Sequence, residues 1–267
     1  TLQLAEELAH RGEEMESTTD TEVMARTIAT APGVTWEDKI VRSLRRFHGA
    51  YCLVMATPNA LYAARDPMGV RPLCVGKMNG GWVVASESCA LDTVGATFIR
   101  EVDPGELIII DGEGPRSVQA AEGPRRAMCI FEFIYFARPD SVIDGRLVYL
   151  VRQEMGRHLA REYPVDADLV IPVPDSAIPA ATGYAEESGI PFGEGLIKNR
   201  YIGRTFIQPD QRLRNVGVQL KFNPLPEVLE GKRVVVVDDS IVRGTTTPPV
   251  VSLLRKAGAR EVHFRIC

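Results

Sequence analysis

The sequence predicts two domains, a first of α+β type over residues 1–125 and a second of α/β type over residues 126–267. Three observations predict this. Helical periodicity in the opening residues gives way to a run of short strands. A polar stretch, GEGPRSVQAAEGPRR at residues 112–126, then interrupts the pattern with little that could pack. Beyond it, strands rich in Val and Ile alternate with helices.

Each element follows from its residues. Leu4, Leu8 and the alanines beside them share one helix face, which Gly12 closes. Asp20 opens a second helix over TEVMARTIAT, where Asp is a good N-cap, and Pro32-Gly33 stops it. Thr35 followed by Asp38 resembles a capping box for a third helix, WEDKIVRSLRRF, with Asp in place of the usual Glu or Gln. After His48-Gly49 come the strands AYCLVMAT, LYAARD, PLCVG, WVVASE and ELIIID, punctuated by Pro, Asn and Gly turns. The polar stretch is then a linker or the last edge of this domain. In the second domain a helix over residues 148–162 leads to strand DLVIPVPD, helix AATGYAEESG and strand FGEGLI. Residues 198–231 show little periodicity. Strand RVVVVDD, helix PVVSLLRKAG and strand EVHFRI complete the pattern. Strands without a polar face indicate a parallel sheet covered on both sides.

The 267 residues are 45% hydrophobic and 25% charged, an ordinary soluble composition that can bury a core without staples. A net charge of −4 gives no reason to expect nucleic-acid or anionic-membrane partners. No apolar run approaches the roughly 20 residues of a membrane span. The five cysteines, at positions 52, 74, 89, 129 and 267, are odd in number, widely spaced and free of CxxC. That pattern predicts reduced thiols in a cytoplasmic protein. Cys52, inside a predicted strand, reads as a core thiol.

RVVVVDDSIVRGTTT is the most informative stretch. An apolar strand ends in two acids, and Ser-Ile-Val-Arg-Gly-Thr-Thr opens a helix. Ligands of open α/β sheets bind at the carboxyl ends of strands. A helix start there offers unpaired N–H groups and a positive dipole end to a phosphate. Gly244 permits close backbone approach. Asp238 and Asp239 suit ribose hydroxyls and Mg²⁺, an oxygen-seeking ion. A generic βα turn with two solvated acids is the plain alternative, but diacid, Gly and Thr-Thr share one register.

This stretch resembles the phosphoribosyl-diphosphate (PRPP) motif of phosphoribosyltransferases. YFARPDSVIDG, VPDSAIPAATGYAEESGIPFGEGLIKNRYIGRTFIQPDQ, VASESCALDTVGA and REVDPGE resemble the amidophosphoribosyltransferase family over residues 2–267. The resemblance implies an N-terminal-nucleophile glutaminase sandwich followed by a type I phosphoribosyltransferase domain. The implied reaction joins glutamine-derived ammonia to C1 of PRPP, giving 5-phosphoribosylamine, diphosphate and glutamate, and opens de novo purine synthesis. It further implies Mg²⁺ as cofactor, purine nucleotides as feedback inhibitors and a homotetramer.

Carried over by residue, Asp238 and Asp239 would hold the ribose hydroxyls and Mg²⁺, with Ser176 as a metal-site hydroxyl. Ser240, Ile241, Val242, Arg243, Gly244, Thr245 and Thr246 would cradle the 5′-phosphate. Residues 198–222 match a loop that closes over PRPP, with Arg204 and Lys221 as its diphosphate or closure contacts. A basic segment beside a phosphate site also suits a water-excluding lid, the alternative being a solvated loop. Tyr149 matches a tyrosine that couples the two sites. Asp20, in TTDTEV, matches the acid that binds the α-amino group of glutamine. One branch of the family holds a [4Fe–4S] cluster on four cysteines, and Cys129 aligns with the first; a buried apolar thiol is the other reading.

The family's glutaminase nucleophile is an N-terminal cysteine, whereas this sequence opens on Thr1, which aligns with an interior helix start. The expectation is a fragment lacking both ends of the family's chain and lacking glutaminase activity. Pro248-Pro249 stand where the family has polar residues, and a first helical turn tolerates them. A phosphoribosyltransferase for a free base would explain the PRPP motif but not the first 125 residues. A non-catalytic PRPP sensor is the rival from another class.

Overall fold

The computed structural model describes residues 1–199, 201, 221–244 and 246–267, and the chain divides into two units, Thr1–Cys129 and Ile130–Cys267. The first unit opens with helices α1 (Leu2–His10), α2 (Asp20–Thr30) and α3 (Trp36–Leu44). The capping box of α3 is present: Thr35 Oγ1 accepts from the Asp38 N–H at 3.1 Å, and Asp38 Oδ2 accepts from the Thr35 N–H at 3.2 Å. The expected Asp20 cap is corrected. Thr19 is the N-cap and accepts from the Glu22 N–H, while Asp20 occupies the first helical position.

Strands β1 (Cys52–Ala56), β2 (Leu61–Arg65), β6 (Glu106–Asp111) and β7 (Gly114–Gln119) form an antiparallel sheet in the order β1-β2-β6-β7. Strands β3 (Cys74–Met78), β4 (Gly81–Ala85) and β5 (Thr97–Glu101) form another, ordered β4-β3-β5, with helix α4 (Ser88–Thr93) connecting β4 to β5. Alternation along β6 explains the layering. Leu107 and Ile109 join Tyr62 and Ala64 against Ile28, Ile40 and Leu44 of the helices. Ile108 and Ile110 join Ala63 on the opposite face and meet Leu73, Val75 and Val102. Beyond the second sheet, Leu91 of α4 packs with Cys74 and Ala96. The layers therefore run helices, sheet, sheet, helix. The polar stretch supplies β7 as the sheet's last edge, paired with β6 from Glu106↔Gln119 to Asp111↔Gly114.

The second unit begins with a short π-helical turn, Glu132–Phe136, and the two-residue strands β8 (Val142–Ile143) and β9 (Arg146–Leu147). Helix α5 (Val148–Glu162), strand β10 (Leu169–Pro172) and helix α6 (Ile178–Ser188) follow. Strands β11 (Leu196–Lys198) and β12 (Phe222–Pro224) pair antiparallel, before the short helix α7 (Pro226–Leu229). Strand β13 (Arg233–Asp238), helix α8 (Thr247–Lys256) and strand β14 (Glu261–Ile266) end the chain. The parallel sheet has the order β10-β13-β14. Val235 and Val237 face Ala181, Tyr184 and Leu159. Val234 and Val236 face Val250, Leu254 and Phe222. Burial on both faces is why β13 is an unbroken run of valine.

FGEGLI departs from expectation. Phe192 makes one parallel bridge to Val170, and regular pairing starts only at Leu196, with β12 as partner. Gly195 separates the two; a Cβ there would stand 2.9 Å from Ile171 and Leu229 side-chain carbons, so the backbone lies against the core as it turns. Helix α8 starts at Thr247, which leaves both prolines in its first turn.

Helices α5 and α6 touch backbone to backbone. A Cβ on Gly183 would lie 1.9 Å from the Gln153 carbonyl oxygen, and one on Gly156 equally close to that of Ala180. Gly183→Ala must push the helices apart, and overpacking of this kind costs about 1–3 kcal/mol. Urea unfolding should show a lower midpoint with an unchanged slope.

Candidate active site

β10 and β13 are parallel neighbours, in register from Leu169↔Val234 to Pro172↔Val237, so both chains turn at the same rim of the sheet. The Val173 N–H donates to the Val237 carbonyl at 2.8 Å, which carries the pairing one residue further. From β10 the chain passes through Pro174, Asp175 and Ser176 into α6. From β13 it passes through Asp239 and Ser240 towards α8. The two turns meet. The Ser176 hydroxyl hydrogen-bonds Asp239 Oδ2, and the Ser240 hydroxyl donates to Asp239 Oδ1 at 2.6 Å. Asp239, only 8% exposed, thus has one hydroxyl on each carboxylate oxygen.

Asp238 is held differently. Its Oδ1 accepts from the Asp239 N–H at 2.9 Å, and its carbonyl accepts from the Cys267 N–H at 3.2 Å. Burial pushes its carboxyl up to about 7, Asp239 beside it pushes in the same direction, and the Asp239 N–H and Lys221 oppose both. The Cys267 thiol is pushed up to about 11 by burial and by the same two acids, with Arg152 opposing. Lys221 is shifted down, first by burial and then by Lys198, against the pull of Asp238, Asp239 and Asp175. Its ammonium stands 5.0 Å from the centroid of the Phe222 ring, a cation–π contact. Lys198 pairs with Asp175. Two lysines and three carboxylates therefore share this rim.

Beyond Ser240 the turn is open. Ile241 and Val242 are exposed, and Gly244 has φ +66° with nothing near where a Cβ would point. Thr246 caps α8. Arg204 and Thr245, with most of residues 198–222, lie outside the described residues. Tyr149 is half-buried in the first turn of α5, its N–H donating to the Pro139 carbonyl at 2.8 Å, and is not part of the Ser176–Asp239–Ser240 cluster.

Sequence reasoning singled out Ser176, Asp238, Asp239 and Lys221, and the fold brings them together. It missed Asp175 and Lys198. The signal was available for Asp175, an acid next to Ser176 at the carboxyl end of a buried strand; Lys198 is identified only by its partner.

In the first unit, Asp20 is exposed at the start of α2. The neighbouring loop is tied to Glu22, which accepts from the Glu16 N–H at 2.9 Å and the Ser17 N–H at 2.7 Å. Those bonds, the Ser17 hydroxyl and Arg26 lower Glu22 to about 2. Cys129 and Cys52 are both half-buried, and Cys52 packs against the core formed by Ala63, Leu73, Val75, Val102, Ile108 and Ile110. Cys52 points its sulfur at the Arg71 and Pro72 carbonyls. None of the five cysteines is in a disulfide.

Comparison with known proteins matches residues 1–93 to a glutamine amidotransferase domain and residues 149–266 to a phosphoribosyl transferase domain. The amidophosphoribosyltransferase of Mycobacterium tuberculosis is 55% identical over 251 residues, 94% of this chain and 47% of its own. That of Bacillus subtilis is 51% identical over 264 residues, 99% of this chain and 56% of its own. A solved structure of the B. subtilis glutamine PRPP amidotransferase, complexed with ADP and GMP, superposes with a TM-score of 0.93 at 51% identity, covering 99% of this chain and 58% of that one.

The chain belongs to the amidophosphoribosyltransferase family. It spans about half the length of the curated relatives it matches. A glutamine amidotransferase domain followed by a phosphoribosyl transferase domain is the family's order, and the two units carry it in that order.

Among the described residues, no three His, Cys, Asp or Glu side chains gather as a metal site. The oxygens of Asp238, Asp239, Ser176 and Ser240 nonetheless suit Mg²⁺, which keeps several waters and takes one or two carboxylates alongside substrate oxygens. A raised Asp238 next to a buried Asp239 is the electrostatic condition that a cation relieves.

The sign of the pH effect follows. Asp238 sits at about 7 in the fold against an ordinary 3.8, so the native state binds the extra proton between those values. Stability in metal-free buffer should fall as pH rises through about 4 to 7, by at most about 1.4 kcal/mol per pH unit. Asp238→Asn should flatten that fall. Urea unfolding at pH 5, 6, 7 and 8 reads it, and an equal slope in the variant would remove Asp238 as the cause.

Proposed function

We propose that residues 126–267 form the PRPP-binding part of an amidophosphoribosyltransferase, and that residues 1–125 belong to its glutaminase domain. The reading rests on one observation: an acid clamped by hydroxyls from two adjacent βα turns, beside a second buried acid, immediately before a glycine-containing turn and a helix start. The whole protein would convert PRPP, glutamine and water into 5-phosphoribosylamine, glutamate and diphosphate, at the start of purine synthesis. The described complex of the B. subtilis relative with ADP and GMP supports purine nucleotides as inhibitors here. A homotetramer in the cytoplasm is the family's expectation, and five cysteines outside any disulfide fit that compartment.

Asp239, with both oxygens oriented by hydroxyls, would accept from the ribose hydroxyls. Asp238, Asp239 and Ser176 would share a Mg²⁺ ion, which when bound supplies positive charge to the diphosphate oxygens and eases their departure. Residues 240–246 would receive the 5′-phosphate through backbone N–H groups, Gly244 allowing close approach. Lys221 and Arg204 would stabilise charge developing on the leaving diphosphate, and lid closure by residues 198–222 would keep water from C1. Tyr149 would couple the transferase site to glutamine hydrolysis, and Asp20 would hold the glutamine α-amino group. Cys129 is the single candidate ligand for a [4Fe–4S] cluster, and no step is assigned to it.

Calorimetric titration should show PRPP binding that requires Mg²⁺. In Asp238→Asn/Asp239→Asn that affinity should fall more than about 100-fold, equivalent to about 2.7 kcal/mol. A cooperatively melting chain that fails to bind PRPP would overturn the reading. Ser176→Ala removes one hydrogen bond to Asp239, worth about 0.5–1.5 kcal/mol, and should weaken binding roughly three- to tenfold. With ammonia as acceptor, PRPP-dependent diphosphate release separates this enzyme from a non-catalytic sensor.

A further inference from the structure

The first unit contains a turn far more heavily bonded than its length requires. Asp66, fully buried at the end of β2, accepts from the Met68 N–H at 3.0 Å and the Val70 N–H at 3.1 Å. Arg65, 1% exposed, donates to three carbonyls: Arg71 at 2.7 Å, Val102 at 2.7 Å and Gly69 at 3.1 Å. The carbonyl of Asp66 accepts from the Gly69 and Gly105 N–H groups, both at 3.0 Å. These bonds take up the carbonyls of residues 66, 69 and 71 within the turn and its surroundings.

The carbonyls of Met68 and Val70 face elsewhere. They accept from the Ala127 N–H at 2.8 Å and the Cys129 N–H at 3.0 Å. Donors at i and i+2 meeting acceptors at j and j+2 give a strand-like contact along the last residues of this unit. Two more attachments lie upstream. Ala120 and Ala121 both donate to the Gly105 carbonyl, and a Cβ on Gly105 would stand 1.9 Å from the Ala121 oxygen. A Cβ on Gly123 would stand 2.3 Å from the Pro67 carbonyl oxygen. The segment 120–129 is therefore laid along residues 66–70 and 105, although residues 122–126 within it are exposed.

We propose that the Asp66 turn is a latch for segment 120–129, the stretch that carries the chain out of the first unit. Asp66 and Arg65 are positioning residues: buried charges that set the carbonyls of Met68 and Val70 at the spacing the outgoing strand needs. The latch fixes the path of the first unit's last residues, from Ala120 to Cys129, along the turn. Its failure and that of the PRPP reading are independent, because no residue of the PRPP site takes part.

Arg125 and Arg126, both exposed, place two trypsin-sensitive bonds beside the latched residues. Proteases need a locally opened backbone, so cleavage reports release of the strap. Limited digestion read by mass spectrometry at bonds 125–126 and 126–127 should be at least tenfold faster in Gly123→Ala and in Asp66→Asn than in the parent. Thermal melts of the variants should remain cooperative. Equal cleavage rates in cooperatively melting variants would overturn the proposal. Hydrogen exchange on the parent provides a test that needs no variant. The amides of Ala127 and Cys129 should exchange at least tenfold more slowly than those of Arg125 and Arg126, once corrected for intrinsic rates, and equal protection would overturn the latch.

Discussion

The candidate site depends on the burial of β13 on both faces. Valines at 234 and 236 fill one core and those at 235 and 237 the other, so no position between Arg233 and Asp238 can hold a charge. The first place where an acid can stand is the carboxyl end, and two acids stand there. Being next to a dry sheet, they remain partly desolvated, which is why Asp238 is pushed up to about 7. The parallel pairing with β10 then brings a second βα turn to the same rim, and Ser176 reaches Asp239 across it. Strand composition, sheet direction and the chemistry of the rim form one causal sequence.

Legibility in the sequence followed the range of the interactions. The capping box at Thr35 and Asp38 is a contact over three residues and was readable as such. So was the unbroken valine run that requires a doubly covered strand. The N-cap of α2 was misplaced by one residue because Thr19 and Asp20 are both capping types and adjacent; the bonds of Glu22 to Glu16 and Ser17 fix the loop so that Thr19 takes the position. Strand β5 opens with the strand formers Thr97, Phe98 and Ile99 but ends in Arg and Glu, too short a run to predict alone; its pairing with β3, bulged at Val75/Gly76, makes it a strand. The Lys198–Asp175 pair bridges 23 residues, and no periodicity reports such a contact.

The two units solve the burial problem in different ways. In the first, β6 is a central antiparallel strand whose alternate isoleucines serve different layers, so one short strand supports helices on one side and a second sheet on the other. In the second, helices α5 and α6 approach so closely that glycine replaces side chains at the contact, and backbone meets backbone at Gly156 and Gly183. The same substitution would thus act through lost packing in one unit and through overpacking in the other.

The charges at the transferase rim are unbalanced in a way that bears on ligand order. Asp175, Asp238 and Asp239 face Lys198 and Lys221, an excess of one carboxylate when all are ionised. Burial raises Asp238 and lowers Lys221, so both charges are held at a cost in the protein alone. A diphosphate by itself would meet the carboxylates and be repelled; a divalent cation by itself would meet the lysines. On the proposed function, a cation arriving with the diphosphate would restore the charge of the acids while the diphosphate met the lysines. A metal–diphosphate complex would then suit this rim better than either component, and the buried position of the acids would strengthen that preference.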